Sequence, residues 1–249
     1  AVSLYHVLEE KGREPLYDGY VESFTENWEK LDQYDNNAPK TMNAHLHVLE
    51  AYTLLYQCWK DNGLKKRLEF CVDLFMNRIY DPSRKHFNLF FDNEWNSLVE
   101  MDSYGHDVET GWLLCEAART LENQDLIEQT NQLALDVTGA CLAEGMSDKG
   151  YMIYEKKGDR KTKHASWWGQ IETVIACVNA WQISGSDVYL QSVDTVWTFV
   201  KDHMVDKEYG EWYSDCFDGE PKKEAPKVSM WRCPYHTVRL GVEMYNRLK

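Results

Sequence analysis

The chain has no segment with the composition of a flexible linker, and it lacks the excess of basic residues that binds polyanions. Its 6 prolines are spread out, and no stretch rich in glycine, serine and proline divides it, so residues 1–249 are expected to form part of a single domain. Lysine and arginine total 27 against 41 aspartate and glutamate, a formal net charge of −14. Because nucleic acids and anionic membranes bind basic surfaces by releasing counterions, we expect neither as a partner.

The seven cysteines form no C-x-x-C pair and lie mostly in apolar helical segments. An odd, dispersed set is typical of reduced, buried thiols rather than of a disulfide framework. No signal peptide or apolar run of membrane-spanning length is evident, so we expect a cytoplasmic protein. The chain begins without methionine, and residues 1–10 resemble the end of a helix, so we expect a fragment of a longer protein.

Helical periodicity dominates, and the predicted helices alternate between two kinds. Inner helices are apolar on several faces, whereas outer helices carry one apolar stripe. Inner helices are predicted at 41–60, 104–120, 166–183 and from about 235, outer helices at 63–79, 124–140 and 187–204, and small hairpins at 85–91, 150–155 and 208–213. Inner helices packed against outer ones predict an all-α toroid; six pairs would close it, and about four are present.

The inner helices share a polar frame of four residues. The copies are His47-Val-Leu-Glu50, His106-Asp-Val-Glu109, Gly169-Gln-Ile-Glu172 and His236-Thr-Val-Arg239, at intervals of 59, 63 and 67 residues. Positions i and i+3 lie on one helix face, so each copy presents two neighbouring groups. A single copy is explained by capping or by a buried hydrogen bond. Four copies in register, stacked as repeats, favour a reaction site at one mouth of the ring.

Three kinds of chemistry fit this frame. Histidine and glutamate at helical spacing can bind a metal, although helical dimetal sites use the reverse order, Glu-x-x-His, and Arg239 would repel a cation. Glu109 and Glu172 can serve as the two carboxyls of a glycoside hydrolase. Imidazoles titrate near neutrality, so one ring can take a proton from carbon while another donates one. The three histidines favour proton transfer, but the spacing alone leaves all three chemistries open.

Aromatic and amide side chains flank the frame. Trp168 and Trp231 lie at helix entrances, where an indole can stack on the C–H face of a sugar ring. Trp112 lies on an apolar face and is assigned to core packing. Asn43 precedes His47 by one helical turn and can bind a hydroxyl group or cap the helix.

Five sequence blocks match one family in order and spacing. They are the segments at 40–53 (KTMNAHLHVLEAYT), 103–109 (SYGHDVE), 167–172 (WWGQIE), 210–214 (GEWYS) and 231–236 (WRCPYH). Together they resemble the N-acylglucosamine 2-epimerase superfamily, and within it most closely the cellobiose 2-epimerases, from about residue 20 onward. The resemblance implies an (α/α)6 barrel that epimerises C2 of the reducing-end glucose of cellobiose or a related β-1,4-disaccharide, without a metal or other cofactor.

The resemblance also implies roles for individual residues. His106 and His236 would be the acid/base pair on either side of an enediolate, and His47 would help to open the sugar ring and hold the oxyanion with Asn43. The implied substrate-binding residues, some of which would alternatively orient a histidine, are Glu109, Glu172, Trp168, Trp231 and Asp35.

Other expectations follow from the same resemblance. We expect a small sugar as the ligand and a monomer as the oligomeric state. Aldose–ketose isomerases of the mannose type and N-acylglucosamine 2-epimerases share the architecture, so both remain alternatives, as does a non-catalytic glycan-binding fragment. Members of the superfamily are longer at the front, where the first helix pairs and an enediolate-stabilising arginine lie. We therefore expect impaired folding or activity of this chain alone.

Overall fold

The computed structural model describes residues 1–31, 33–34 and 37–249. Its backbone contacts group into two units, the first of residues 1–102 and 113–127 and the second of residues 103–112 and 128–249. The expectation that residues 1–249 belong to a single domain stays a prediction. In the described part of the chain, no helix is both long and apolar enough to cross a membrane.

The first unit contains short strands and the first predicted inner and outer helices. Its elements are α1 (Val2–Val7) with a π-helical extension (Leu8–Gly12), β1 (Lys40–Thr41), α2 (Met42–Cys58), α3 (Asn62–Leu74) with a π-helical extension (Phe75–Ile79), β2 (Tyr80–Asp81), β3 (His86–Phe87) and β4 (Phe90–Phe91). Strand β1 pairs antiparallel with β4, and β2 pairs antiparallel with β3. Strand β5 (Met101–Ser103) then leads into α4 (Tyr104–Leu121).

The second unit begins with the first half of α4 and continues to the last residue. Its other helices are α5 (Gln124–Gly145), α6 (Trp167–Ser184), α7 (Val188–Phe199) with a π-helical extension (Val200–Met204), and α8 (Tyr235–Arg247). Its strands are β6 (Glu155–Lys157), β7 (Arg160–Lys161), β8 (His164–Ser166), β9 (Asp215–Phe217) and β10 (Glu220–Pro221).

The predicted helix positions are confirmed to within a few residues, and α6 shows why the periodicity was informative. Ser166 caps α6 by accepting the backbone N–H of Gly169, and Gly185 ends the helix in the left-handed conformation (φ +69°). These are the cap types that start and stop helices. From Gly169 to Ala180 every residue of α6 is buried, as predicted for an inner helix.

Two helices predicted to be packed on all sides are not. Helix α2 buries one face and leaves Leu54 57% exposed. Helix α8 buries only Arg239 and Leu240, whereas Val238 and Tyr245 are exposed. A helix with apolar residues on several faces can be buried on all of them. Which faces are covered depends on the neighbouring elements, and the periodicity of one helix does not identify its neighbours.

Two of the three predicted hairpins are confirmed as turns but differ in detail from the prediction. Near 85–91 one hairpin joins β2 to β3, β4 pairs with β1, which is distant in sequence, and Phe91 bridges Ser97 across a further turn.

The predicted hairpin at 208–213 is a tight turn closed by an antiparallel bridge between Val205 and Trp212. Asp206 accepts the backbone N–H groups of Glu208 and Tyr209 within this turn. A longer hairpin lies further on, between β9 and β10, around Asp218 and Gly219, both at positive φ. An Asp-Gly pair is a strong hairpin signal that the prediction overlooked.

The middle hairpin is close to its expected position. Strand β6 pairs with β7 around the turn at Lys157-Gly158 that the sequence predicts, and Gly158 there has a φ of +55°. Residues 150–154, which were expected to belong to the strand, contribute only an isolated bridge between Met146 and Met152.

A buried histidine ties the start of α2 to the preceding segment of the first unit. The Nδ1 atom of His45 lies 2.6 Å from the carbonyl oxygen of Thr41, and its Nε2 accepts the backbone N–H of Tyr20 at 2.9 Å. Because a carbonyl only accepts, the ring is held as the neutral tautomer with its proton on Nδ1. Burial lowers the pKa of His45 to about 4.

His45 is therefore expected to make folding stability depend on pH. Between pH 6.5, its ordinary pKa, and pH 4 the unfolded chain binds a proton that the folded protein excludes. Stability should be fully present above pH 6.5 and fall as the pH drops to 4, by on the order of 3 kcal/mol. Urea unfolding at a series of pH values measures this loss.

The variant His45→Gln removes the titrating group, so its stability should fall less steeply over the same pH range. His6→Gln is the matched control, because His6 is exposed in the same unit. Equal slopes for His45→Gln and the unmodified protein would show that His45 is not responsible.

Candidate active site

One imidazole of the second unit is held by a buried carboxylate. His236 is the second residue of α8 and its side chain is 16% exposed. Its Nδ1 lies 2.7 Å from Oε1 of Glu172, which is in the second turn of α6. A carboxylate accepts hydrogen bonds, so Nδ1 carries the proton and the basic lone pair of the neutral ring lies on Nε2.

Glu172 is in turn held by two further donors. Nη1 of Arg239 donates to its Oε1 at 3.1 Å, and the indole Nε1 of Trp112 donates to its Oε2 at 2.9 Å. The same Nη1 of Arg239 donates to Oε1 of Glu109 at 2.6 Å. Glu109 and Glu172 are at most 1% exposed and Arg239 is 9% exposed. One guanidinium thus bridges two buried carboxylates.

The second imidazole has a different partner. His106 lies in the first turn of α4, and its Nδ1 is 2.8 Å from Oγ of Ser103, the last residue of β5. A hydroxyl group both donates and accepts. His106 can therefore keep this hydrogen bond in either tautomer, whereas His236 cannot.

A tryptophan lies against both imidazoles. The ring centroids of Trp168 and His106 are 4.6 Å apart, and those of Trp168 and His236 are 5.7 Å apart. Tyr154 meets the same indole edge-on at 6.0 Å. The acid/base pair implied by the sequence resemblance is thus brought to one aromatic side chain.

Close packing around this indole depends on a glycine. A Cβ added to Gly105, the residue before His106, would lie 2.7 Å from a ring atom of Trp168 and 3.1 Å from the Cα of Gly169. The first contact is closer than real side chains accept and the second is tighter than most, so the start of α4 approaches α6 this closely because residue 105 has no side chain.

Four of the predicted site residues belong to the first unit, are exposed, or lie outside the described residues. Asn43 and His47 are exposed on α2 in the first unit, where Nδ1 of His47 lies 3.3 Å from Oε2 of Glu50. Trp231 precedes α8 and is 83% exposed. Asp35 lies outside the described residues. Their expected roles stay predictions.

The geometry of the charged cluster weighs against the metal interpretation. Glu109, Glu172 and His236 offer ligand atoms within 4.8 Å of one another, which is the spacing that a metal ion needs. Arg239, however, already supplies a positive charge to both carboxylates, and a cation placed there would face that guanidinium. These residues therefore form an ion-pair network that does not suit a cation.

The same network weighs against glycoside cleavage by this pair. That reaction needs one carboxyl as a proton donor and the other as a base or nucleophile facing the sugar. Glu109 and Glu172 share one nitrogen atom of Arg239 and are buried. Proton transfer by the imidazoles, which are partly exposed, fits the arrangement better.

Three members of the site were not predicted in the roles that the structure gives them. Ser103 lies in a matched sequence block but was given no function, and Trp112 was assigned to the core. Arg239 was considered as a charge that repels cations and as a conceivable substitute for the enediolate-stabilising arginine. The signal available for Arg239 was its position in the fourth copy of the frame. For Trp112 the signal was its position three residues after Glu109, on the same helix face.

Comparison with known proteins gives one family. The family model described as N-acylglucosamine 2-epimerase (GlcNAc 2-epimerase) matches residues 1–239. A cellobiose 2-epimerase of Bacteroides fragilis is 39% identical over 254 residues, covering 98% of this chain and 64% of the relative. The chain thus spans less than two thirds of the length of this relative.

Solved structures of similar proteins give the same picture of the fold. The structure of a cellobiose 2-epimerase from Bacillus thermoamylovorans B4167 matches with a TM-score of 0.94 and 34% identity, covering 99% of this chain and 64% of that one. A D-mannose isomerase structure matches with a TM-score of 0.81 at 18% identity, a likeness of fold alone. The predicted all-α fold class, that of an (α/α)6 barrel, is confirmed.

The contact at Gly105 predicts the effect of a small substitution. Gly105→Ala should displace Trp168 or the start of α4, lowering the free energy of unfolding by about 1–3 kcal/mol. Near-ultraviolet circular dichroism and tryptophan fluorescence report the displaced indole, and urea unfolding reports the stability.

Gly139→Ala in α5 is the matched control, because an added Cβ there meets nothing within 4 Å. Alanine in a helix interior is better than glycine, so this variant should be more stable by about 0.5–1 kcal/mol. If Gly105→Ala behaves like Gly139→Ala in both measurements, the close approach at Trp168 is wrong.

Proposed function

The chain belongs to the N-acylglucosamine 2-epimerase family, and from this membership we propose that it epimerises C2 of a reducing-end glucose. Cellobiose or a related β-1,4-linked disaccharide is the proposed substrate, because relatives 34–39% identical to this chain are cellobiose 2-epimerases. The observation that carries the proposal is the placement of His106 and His236 against one indole. No other pair in the second unit combines two partly exposed imidazoles with such an aromatic surface among the described residues.

The proposed reaction moves one proton off carbon and one proton back. After the sugar ring opens, the C2–H bond lies next to the C1 carbonyl group, so its electrons can pass to the carbonyl oxygen as the proton leaves. One imidazole takes this proton to give an enediolate. The other imidazole returns a proton to C2 from the opposite face, which inverts the configuration. The reverse reaction exchanges the roles of His106 and His236.

The tautomer of His236 supports its role as a base. With Nδ1–H donated to Glu172, Nε2 carries the lone pair that removes a proton. When Nε2 is protonated, the carboxylate stabilises the resulting imidazolium, as in other carboxylate–histidine pairs. In this proposal Glu172 orients His236, which is one of the two roles that the sequence resemblance implied.

The remaining predicted residues keep their roles within the proposal. His47 assists ring opening and holds the developing oxyanion with Asn43, which precedes it by one turn on the exposed face of α2. Trp168 supplies an aromatic surface beside the reacting carbon, and Trp231 stacks on the distal sugar. Asp35 is proposed to bind a hydroxyl group of the distal sugar. Glu109 accepts a hydrogen bond from Arg239 and so helps to hold the guanidinium that orients Glu172.

Two related activities remain as alternatives within the same chemistry. An aldose–ketose isomerase would also form the enediolate but protonate C1, giving a fructose-type product. An N-acylglucosamine 2-epimerase would act at the same carbon of an acylated amino sugar. Chromatography of the products from cellobiose, mannose and N-acetylglucosamine distinguishes the three activities.

The cell compartment and oligomeric state are also part of the proposal. Five of the seven cysteines are buried, which suits the reducing cytoplasm. We take a monomer as the active species, because the proposed acid/base pair and its orienting groups all lie on one chain. Light scattering at the concentration of the activity assay measures this.

Deuterium exchange tests the proposed reaction directly. Incubated with cellobiose in heavy water, the chain should incorporate deuterium at C2 and form the C2 epimer, both measured by NMR, at a rate reduced by the expected impairment of this chain alone. His236→Ala should reduce the exchange at C2 by at least about 100-fold, since a positioned acid/base group contributes about 10²–10⁴-fold.

His203→Ala is the matched control, because His203 lies in the same unit and packs against Phe199 rather than Trp168. It should exchange at the unmodified rate. A chain that binds cellobiose but never incorporates deuterium would be a glycan-binding protein, and the proposal would fail.

A further inference from the structure

The carboxylate that orients His236 depends on other side chains for its own orientation. Both oxygens of Glu172 are occupied within the protein, Oε1 by His236 and Arg239, and Oε2 by the indole of Trp112. Glu172 is fully buried, so solvent does not replace a donor that is removed. A buried carboxylate that loses a donor is free to rotate toward the donors that remain.

Arg239 is itself held on several sides. Its guanidinium bonds Glu109 as well as Glu172. It also lies over the ring of Tyr235 at 4.2 Å and over that of Trp112 at 5.3 Å. A planar guanidinium suits such a stacked, bridging position, whereas a lysine ammonium group does not reproduce it.

We propose that Arg239 and Trp112 are positioning residues for the acid/base imidazole of His236. Arg239 fixes Oε1 of Glu172, and Trp112 fixes Oε2. Together they keep the carboxylate aligned with Nδ1 of His236 and keep its lone pair on Nε2. Their role in turnover rests on the proposed epimerisation, but their effect on the tautomer of His236 does not.

The tautomer of His236 gives a test that needs no activity. With ¹⁵N-labelled histidine at alkaline pH, long-range ¹H–¹⁵N spectra distinguish Nδ1–H from Nε2–H rings, and His236→Asn assigns the signal. The unmodified chain should show His236 as the Nδ1–H tautomer. Trp112→Phe and Arg239→Lys should each increase the Nε2–H population, and Glu172→Gln should increase it further.

Turnover gives the second measurement. Since neither residue is proposed to touch the sugar, the variants should lower kcat for C2 exchange and leave KM nearly unchanged. For Arg239→Lys we expect a loss of about 10- to 100-fold, the range found for partners that orient a functional imidazole. Trp112→Phe removes one neutral donor and should lose less.

Two matched controls separate positioning from general destabilisation. Trp95→Phe also removes a buried indole hydrogen bond, from Nε1 to the carbonyl oxygen of Tyr17 at 3.1 Å. Arg84→Lys changes a guanidinium of the first unit that also bridges two carboxylates, those of Asp81 and Asp102. Both controls should keep the tautomer of His236 and the kcat value.

The outcomes are distinguishable. If Arg239→Lys and Trp112→Phe fold but leave the tautomer of His236 unchanged, or if the controls change it equally, the positioning role is wrong. If the tautomer responds as expected but the unmodified chain shows no C2 exchange, the positioning role stands and the proposed reaction fails. Neither variant leaves the buried carboxylates without a positive partner, because Arg239→Lys retains the charge and Trp112→Phe removes none. If one variant fails to fold, the other still tests the proposal.

Discussion

A single guanidinium between two buried carboxylates organises the site in the second unit. Arg239 brings α8 to Glu109 on α4 and to Glu172 on α6, so one side chain connects three helices that are far apart in sequence. Breaking a buried ion pair by removing one member costs about 3–5 kcal/mol, because the remaining charge stays buried without compensation. This interaction therefore contributes to both the packing of the three helices and the orientation of His236.

The repeated polar frame is the sequence feature that located this cluster. Spacing of i and i+3 correctly placed Glu109, Glu172, His236 and Arg239 at the starts of helices, and the helix positions followed from periodicity. Spacing could not show which side chains meet across helices. Arg239 was considered only for its charge, yet its contacts with two carboxylates decide what those carboxylates can do.

Failures of the sequence prediction have physical causes of the same kind. Helices α2 and α8 are apolar on more faces than they bury, because burial depends on neighbours that a single helix does not specify. The hairpin between β9 and β10 was missed because alternating aromatic residues were given more weight than the Asp218-Gly219 turn. Trp112 was correctly predicted to be buried, but a buried indole also needs a partner for its N–H, and here that partner is Glu172.

The two imidazoles differ in what constrains them. His236 donates to a carboxylate, which accepts only and so selects one tautomer. His106 faces the hydroxyl of Ser103, which accommodates either. In the proposed epimerisation, proton removal and return at C2 would thus be carried out by one imidazole with a fixed tautomer and one with an adaptable tautomer. The kcat values of the two directions need not respond equally to a change in either partner, although the ratio of their kcat/KM values is fixed by the equilibrium constant.

The indole of Trp168 limits how this site can diverge. Because both imidazoles rest on the same ring, a substitution that alters the thickness or tilt of that ring moves both of them together. In the proposed reaction, a change of sugar specificity through Trp168 would disturb deprotonation and reprotonation at the same time. Changes that affect one imidazole without moving the other are more accessible through Ser103, which bonds His106, or Glu172, which bonds His236.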